Sequence, residues 1–175
     1  EAGDILRQGM VARQDTVTFL YPADQLSDDI SADTLDAIFL EAVKHTGVSN
    51  EGDYLNSAWL TWGCSIEGVT ADQYLKVSYN VTYNTTAEQE AAVDDAVKAF
   101  LAGLTTNSMT DYEIVKSIYD YLSATIAYDY DNLEDDTYPL KYSAYAALVD
   151  QKAVCQGYAS AFYRLALEFG IDTRL

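Results

Sequence analysis

Apolar and polar positions first alternate along "DTVTFLYP", where Val17, Phe19 and Tyr21 face one way and Thr16, Thr18 and Leu20 the other. A period of two predicts a strand, ending at Pro22. The acidic stretch "QLSDDISAD" reads as a turn. After it, Leu35, Ile38, Phe39, Ala42 and Val43 recur at helical spacing, and Gly47 closes that helix. Two more alternating runs predict a long hairpin. Leu60, Trp62, Cys64 and Ile66 share one face of "SAWLTWGCSI", and Leu75, Val77, Tyr79, Val81 and Tyr83 share one face of "YLKVSYNVTY". The turn between them falls in "EGVTADQ".

The period changes near residue 86. Val93, Ala96, Val97, Phe100, Leu101 and Leu104 form a helical stripe, capped at its start by "TTAEQ". Thr110 and Glu113 fit a capping box, and Ile114, Ile118, Leu122 and Ile126 repeat every fourth residue behind it. "YDYDNLEDDTYP" reads as a solvated loop and "YSAYAALVD" as a short helix. The last helix runs from about Val154 to Phe169, with Tyr158, Phe162, Leu165, Ala166 and Phe169 on its buried face, and a strand is expected at "DTRL". The fold class is therefore α+β: a small α/β unit with a β-hairpin over 1–105, then helices over 106–175.

Composition sharpens this picture. At 175 residues, 49% of them hydrophobic and 15 of them Tyr, the chain can bury a real core in one domain or one and a half. A net charge of −18 repels phosphate backbones and anionic lipid surfaces, so nucleic acid and membranes are disfavoured as partners. No apolar run is long enough to insert across a bilayer. Glu1 in place of Met reads as a processed or engineered end. Two Cys make no disulfide framework, and whether Cys64 and Cys155 pair stays open; Cys64, between Trp62 and Ile66, reads as core.

Cys155 is the residue with chemistry to offer. It opens the last helix, where unsatisfied N–H groups and the helix dipole favour the anionic, nucleophilic form of a thiol. Gly157 and Ala159 leave room beside it for a backbone or a substrate. A catalytic thiol needs a base within hydrogen-bond reach. The single histidine, His45, follows an early helix and reads as a dipole partner, not as that base. Asp129 to Asp136 offer many oxygen ligands but lack the glycine of an EF-hand loop, so no metal is expected there.

The runs "DYEIVKSIYDYLSATIAYDYDN" and "YSAYAALVDQKAVCQGYASAFYRLALEFGIDTRL" resemble the transglutaminase-like superfamily. The matching parts are Ile126 to Tyr128 before the loop, Lys152 to Ala159 around the Cys, Gly170 to Ile171 after the helix, and "DTRL". Residues 1–105 are similar to the region that precedes this core in extracellular proteins of Gram-positive bacteria. The resemblance implies a papain-like cysteine enzyme, secreted or at the bacterial cell surface, without cofactor. It would act on protein or peptide amides through a Cys155 thioester, with cross-linking or hydrolysis as the outcome. The Cys155 backbone N–H would help hold the oxyanion, with Gln156, Gly157 and Tyr128 in the vicinity. The family's His and Asp follow the nucleophile. The chain is therefore expected to be a truncated, inactive piece whose incomplete core pairs with a second copy. The competing expectation is a non-catalytic surface or binding module.

Overall fold

The alternation of Val17, Phe19 and Tyr21 becomes β1 (Thr16–Pro22), an edge strand of a three-stranded antiparallel sheet. The computed structural model describes residues 1–23, 32–69, 72–104 and 108–175. The sheet order is β1–β3–β2, with β2 at Trp59–Val69 and β3 at Tyr74–Tyr83. Val17, Tyr79 and Cys64 form one inward row and Phe19, Val77 and Ile66 the next. Cys64 thus lies in a core row as expected, but on an edge strand, so it is only half-buried. Leu60 departs from its expected face. A bulge between Trp59 and Thr61 inserts one extra residue, and Leu60 turns outward to 42% exposure. The turn expected within 25–33 falls mostly, and the hairpin tip at 70 and 71 entirely, outside the described residues.

The inner sheet face is covered by α1 (Ala2–Val11) and α2 (Ala32–Ala42), through Leu6, Met10, Ile38 and Phe39. α2 ends five residues before Gly47, so that glycine does not close it. α1 adds to the expected elements: Ile5, Leu6 and Met10 recur at helical spacing, but two of its buried positions, Gly3 and Gly9, are glycines. A Cβ at Gly9 would stand 2.2 Å from Val17 Cγ2, so the close approach of helix to strand removes the side chain that would have marked the face. α3 (Asp53–Ala58) is too short to show a period.

The second core lies among helices. α4 (Ala87–Gly103) and α5 (Asp111–Thr125) both start on capping boxes, Thr86 with Gln89 and Thr110 with Glu113. Val93, Val97, Ile114, Ile118 and Leu122 pack against α6 (Ala144–Leu148) and α7 (Cys155–Glu168). α7 was expected to bury one stripe. Instead Gly157, Ser160, Ala161 and the whole run Tyr163 to Leu167 are buried, while Tyr158, Phe162 and Phe169 are half-buried. The reason is its central position: α3, α5, α6 and a 3-10 turn at Pro139–Tyr142 all contact it.

A polar network joins the two cores. Arg13 and Glu90 are paired at 2.8 Å, and Thr85 Oγ1 and Tyr54 Oη donate to the Glu90 carboxylate at 2.6 and 2.9 Å. The Arg13 guanidinium also lies 5.2 Å from the centre of the Tyr83 ring. Burial pushes the Tyr54 phenol far above its ordinary pKa, so it stays a donor.

The strand expected at "DTRL" is absent. Residues 171–175 form no regular structure, since among the described residues no neighbouring strand offers them a ladder. They dock on α3 instead. Arg174 donates to both Asp53 oxygens at 2.6 and 2.9 Å, and the Leu175 N–H donates to Asp53 Oδ2 at 2.9 Å. The Arg174 bond, helped by Leu175 and opposed by partial burial, holds the Asp53 carboxyl below its ordinary pKa. A depressed folded value means the contribution is complete above the unfolded carboxylate pKa of about 3.9 and is lost as pH falls through the folded value. The amide resonances of Arg174 and Leu175 should therefore hold constant from neutral pH to about pH 4 and move below it. In Asp53→Asn they should sit at undocked positions throughout; identical spectra for both proteins at neutral pH would refute this docking.

Candidate functional site

Cys155 is the first residue of α7, and its thiol is free and exposed. Cys64 is free as well, so the two do not pair. The N-cap residue, Val154, has no capping side chain. The Gly157 and Tyr158 N–H groups turn back to the Val154 carbonyl at 2.9 and 3.3 Å. The Cys155 and Gln156 N–H groups have no intramolecular acceptor among the described residues. Two donors therefore stay open beside the sulfur, and they are the groups that an anionic oxygen formed there could use. The Gln156 side chain is exposed.

The chain is steered into this position from two sides. β4 (Ala127–Tyr128) and β5 (Lys152–Ala153) form a short parallel pair, Ala127 opposite Lys152 and Tyr128 opposite Ala153. The Asp129 N–H extends it by donating to the Ala153 carbonyl at 3.0 Å. On the other side the Val154 N–H donates to the Lys141 carbonyl at 3.2 Å. Gly157 is the contact that lets this happen. A Cβ there would lie 2.6 Å from Ala153 Cβ, 3.0 Å from the Ser143 carbonyl and 3.1 Å from the Lys141 carbonyl. Its small size therefore admits the Lys141 to Ser143 backbone and opens no space for a substrate.

Tyr128 is brought to the start of α7. Its ring centre is 6.4 Å from Tyr158 and 4.8 Å from Tyr130. Tyr158, three residues after Cys155 and so on the same helix face, donates its hydroxyl to the Ile126 carbonyl at 2.6 Å. Tyr130 is 77% exposed.

The loop after β4 is more than a solvated connection. Asp129 is buried, accepting from the Asn132 N–H at 3.2 Å and Asn132 Nδ2 at 2.7 Å, with Lys152 Nζ at 3.3 Å. Burial pushes its carboxyl up, and the bonds from Asn132 and Lys152 outweigh this to leave it below the ordinary carboxylate range. Lys152 also pairs with Asp131 at 2.6 Å. Lys141 is fully buried, and its Nζ donates to the carbonyls of Asn132, Leu133 and Asp135 at 2.7, 2.9 and 2.7 Å. An ammonium thus gathers the loop's backbone oxygens. Among the described residues, no group of three or more His, Cys, Asp or Glu could hold a metal ion. A lone Lys in "YPLKYSAY" gave no signal of this role.

His45 is not brought to the thiol. Nδ1 lies 3.2 Å from the Tyr163 hydroxyl, and Nε2 lies 3.0 Å from Asp172 Oδ1. Tyr163 is eight residues beyond Cys155, about 12 Å along the helix. His45 ties the loop after α2 to the segment after α7. No described helix is long and apolar enough to cross a membrane.

No curated protein matches the chain. The family model of the transglutaminase-like superfamily matches residues 98–175, from within α4 through the Cys155 turn to the docked tail. The order of parts seen here, a helix, a short strand, a loop and an uncapped helix opened by an exposed cysteine, lies wholly inside that match. Residues 98–175 of this chain are therefore similar to the transglutaminase-like superfamily.

Proposed function

We propose that Cys155 is the nucleophile of a cysteine enzyme that acts on protein or peptide carboxamides. The observation that carries this is an exposed thiol beside two free N–H donors at a rigidly held helix start. The Cys155 sulfur attacks the carboxamide carbon, and the oxygen takes up negative charge facing the Cys155 and Gln156 N–H groups. The C–N bond then breaks, ammonia leaves with the transferred proton, and a thioester remains. An amine or water attacks the thioester and returns the thiol, giving cross-linking or hydrolysis. The resemblance places the required imidazole and carboxylate after the nucleophile in chain order, and it supports a setting outside the bacterial cell. His45, held at the far end of α7, favours a second reading: a binding module that keeps the helical framework without catalysis.

Intact-mass measurement with a glutamine-containing peptide separates the two. The 175-residue chain should form no adduct, because no imidazole reaches its thiol. Protein expressed from the complete natural reading frame should gain the peptide mass less ammonia, and Cys155→Ser should abolish that gain. No adduct on the complete protein would discard the enzymatic reading in favour of the binding module.

A further inference from the structure

The surface next to Cys155 is both aromatic and acidic. Tyr128, Tyr130 and Tyr158 stand as a row of rings with centres 4.8 and 6.4 Å apart. The segment joining β4 to α6 adds Asp131, Glu134, Asp135 and Asp136, all exposed. Of the two lysines nearby, Lys141 is buried under backbone carbonyls and Lys152 is engaged by Asp129 and Asp131. Lys152 thus balances Asp131, and neither lysine leaves a positive charge free for Glu134, Asp135 and Asp136. The chain's net charge of −18 sets the same sign over the wider surface. Ring faces attract cations through their quadrupoles, and a field of one sign raises the local concentration of opposite charge.

We infer that Tyr128, Tyr130 and Tyr158, in the field of Glu134, Asp135 and Asp136, form a subsite that selects peptides carrying Lys or Arg beside the residue presented to Cys155. This rests on the reading of Cys155 as the nucleophile for its meaning, though not for its test. The cationic side chain lies against the exposed Tyr130 face, drawn there by the unbalanced carboxylates of the same segment. Asp129 and Asp131 are not part of the subsite, because Asn132 and Lys152 already engage the first and Lys152 the second.

The test is protection of Cys155 from alkylation by neutral iodoacetamide, which needs no catalysis. Labelling at Cys155 is read separately from Cys64 by peptide mapping. Two pentapeptides serve as probes, each with a central glutamine, one flanked by lysines and the other by glutamates. The lysine peptide should slow labelling about tenfold at low salt, and the glutamate peptide should leave it unchanged. Tyr130→Ala should remove most of the protection and Tyr130→Phe should keep it. Glu134→Gln should weaken protection and flatten its dependence on salt. Equal protection by both peptides, no protection by either, or full protection in Tyr130→Ala would each overturn the inference. Protection by the lysine peptide on a protein that never forms a thioester would leave the subsite standing and remove the nucleophile. Thioester formation at equal rates from both peptides would do the reverse.

Discussion

Lys141→Met should destabilise the protein by about 2–4 kcal/mol, lowering its Tm by roughly 5–15 °C. The wild-type ammonium donates to three carbonyls and has no solvent exposure. A thioether of similar length fills the space but donates nothing, so three inward-facing carbonyls lose their partner at once. The loop can recover by turning those oxygens to water, which caps the loss and makes the effect local. Amides of residues 130–136 should therefore lose hydrogen-exchange protection well before the rest of the protein. Arginine should not restore stability, since a planar fork cannot place three donors as an ammonium does. The effect should also reach the thiol, because the Lys141 carbonyl holds the Val154 N–H directly before Cys155. Urea denaturation with exchange mass spectrometry checks this. A loss under about 1 kcal/mol with unchanged loop exchange would mean that the carbonyls do not depend on the ammonium.

Glu90→Leu should cost about 3–5 kcal/mol, because it leaves the Arg13 charge buried without a counterion. Arg13 is 7% exposed, and removing Glu90 also strips the acceptor from the Tyr54 and Thr85 hydroxyls. The control is the double variant Arg13→Met with Glu90→Leu. Apolar replacement of a whole buried pair is often close to neutral, so the double variant should be more stable than the Glu90 single variant. Strict additivity of the two single effects would show that the pair is not coupled. The network links the turn after α1 to α3 and α4, so its loss should loosen the sheet unit from the helices.

Much of this architecture is legible along the chain. The alternation of Leu75, Val77, Tyr79 and Val81 becomes the central strand, paired on both sides, where a period of two has its fullest expression. Thr110 and Glu113 cap α5 as their spacing demands. Cys155 stands at a helix start and is exposed, where its local context puts it. These features depend on residues within a few positions of each other, so the order of residues is sufficient to specify them.

The rest depends on contacts between distant parts of the chain. α1 lies against the sheet at Gly9, whose missing side chain answers to Val17 across a packed interface. Arg13 finds Thr85 across 72 positions and His45 finds Asp172 across 127, distances over which no local period carries information. Lys141 reads like any surface lysine until the loop closes over it, and Gly157 reads as room for a backbone or a substrate until the Lys141 to Ser143 backbone takes it. Local periodicity and capping set which segments become helices and strands and put a thiol at a helix start. Long-range packing, which satisfies buried charges and carbonyls one partner at a time, sets what surrounds that thiol and which groups can reach it.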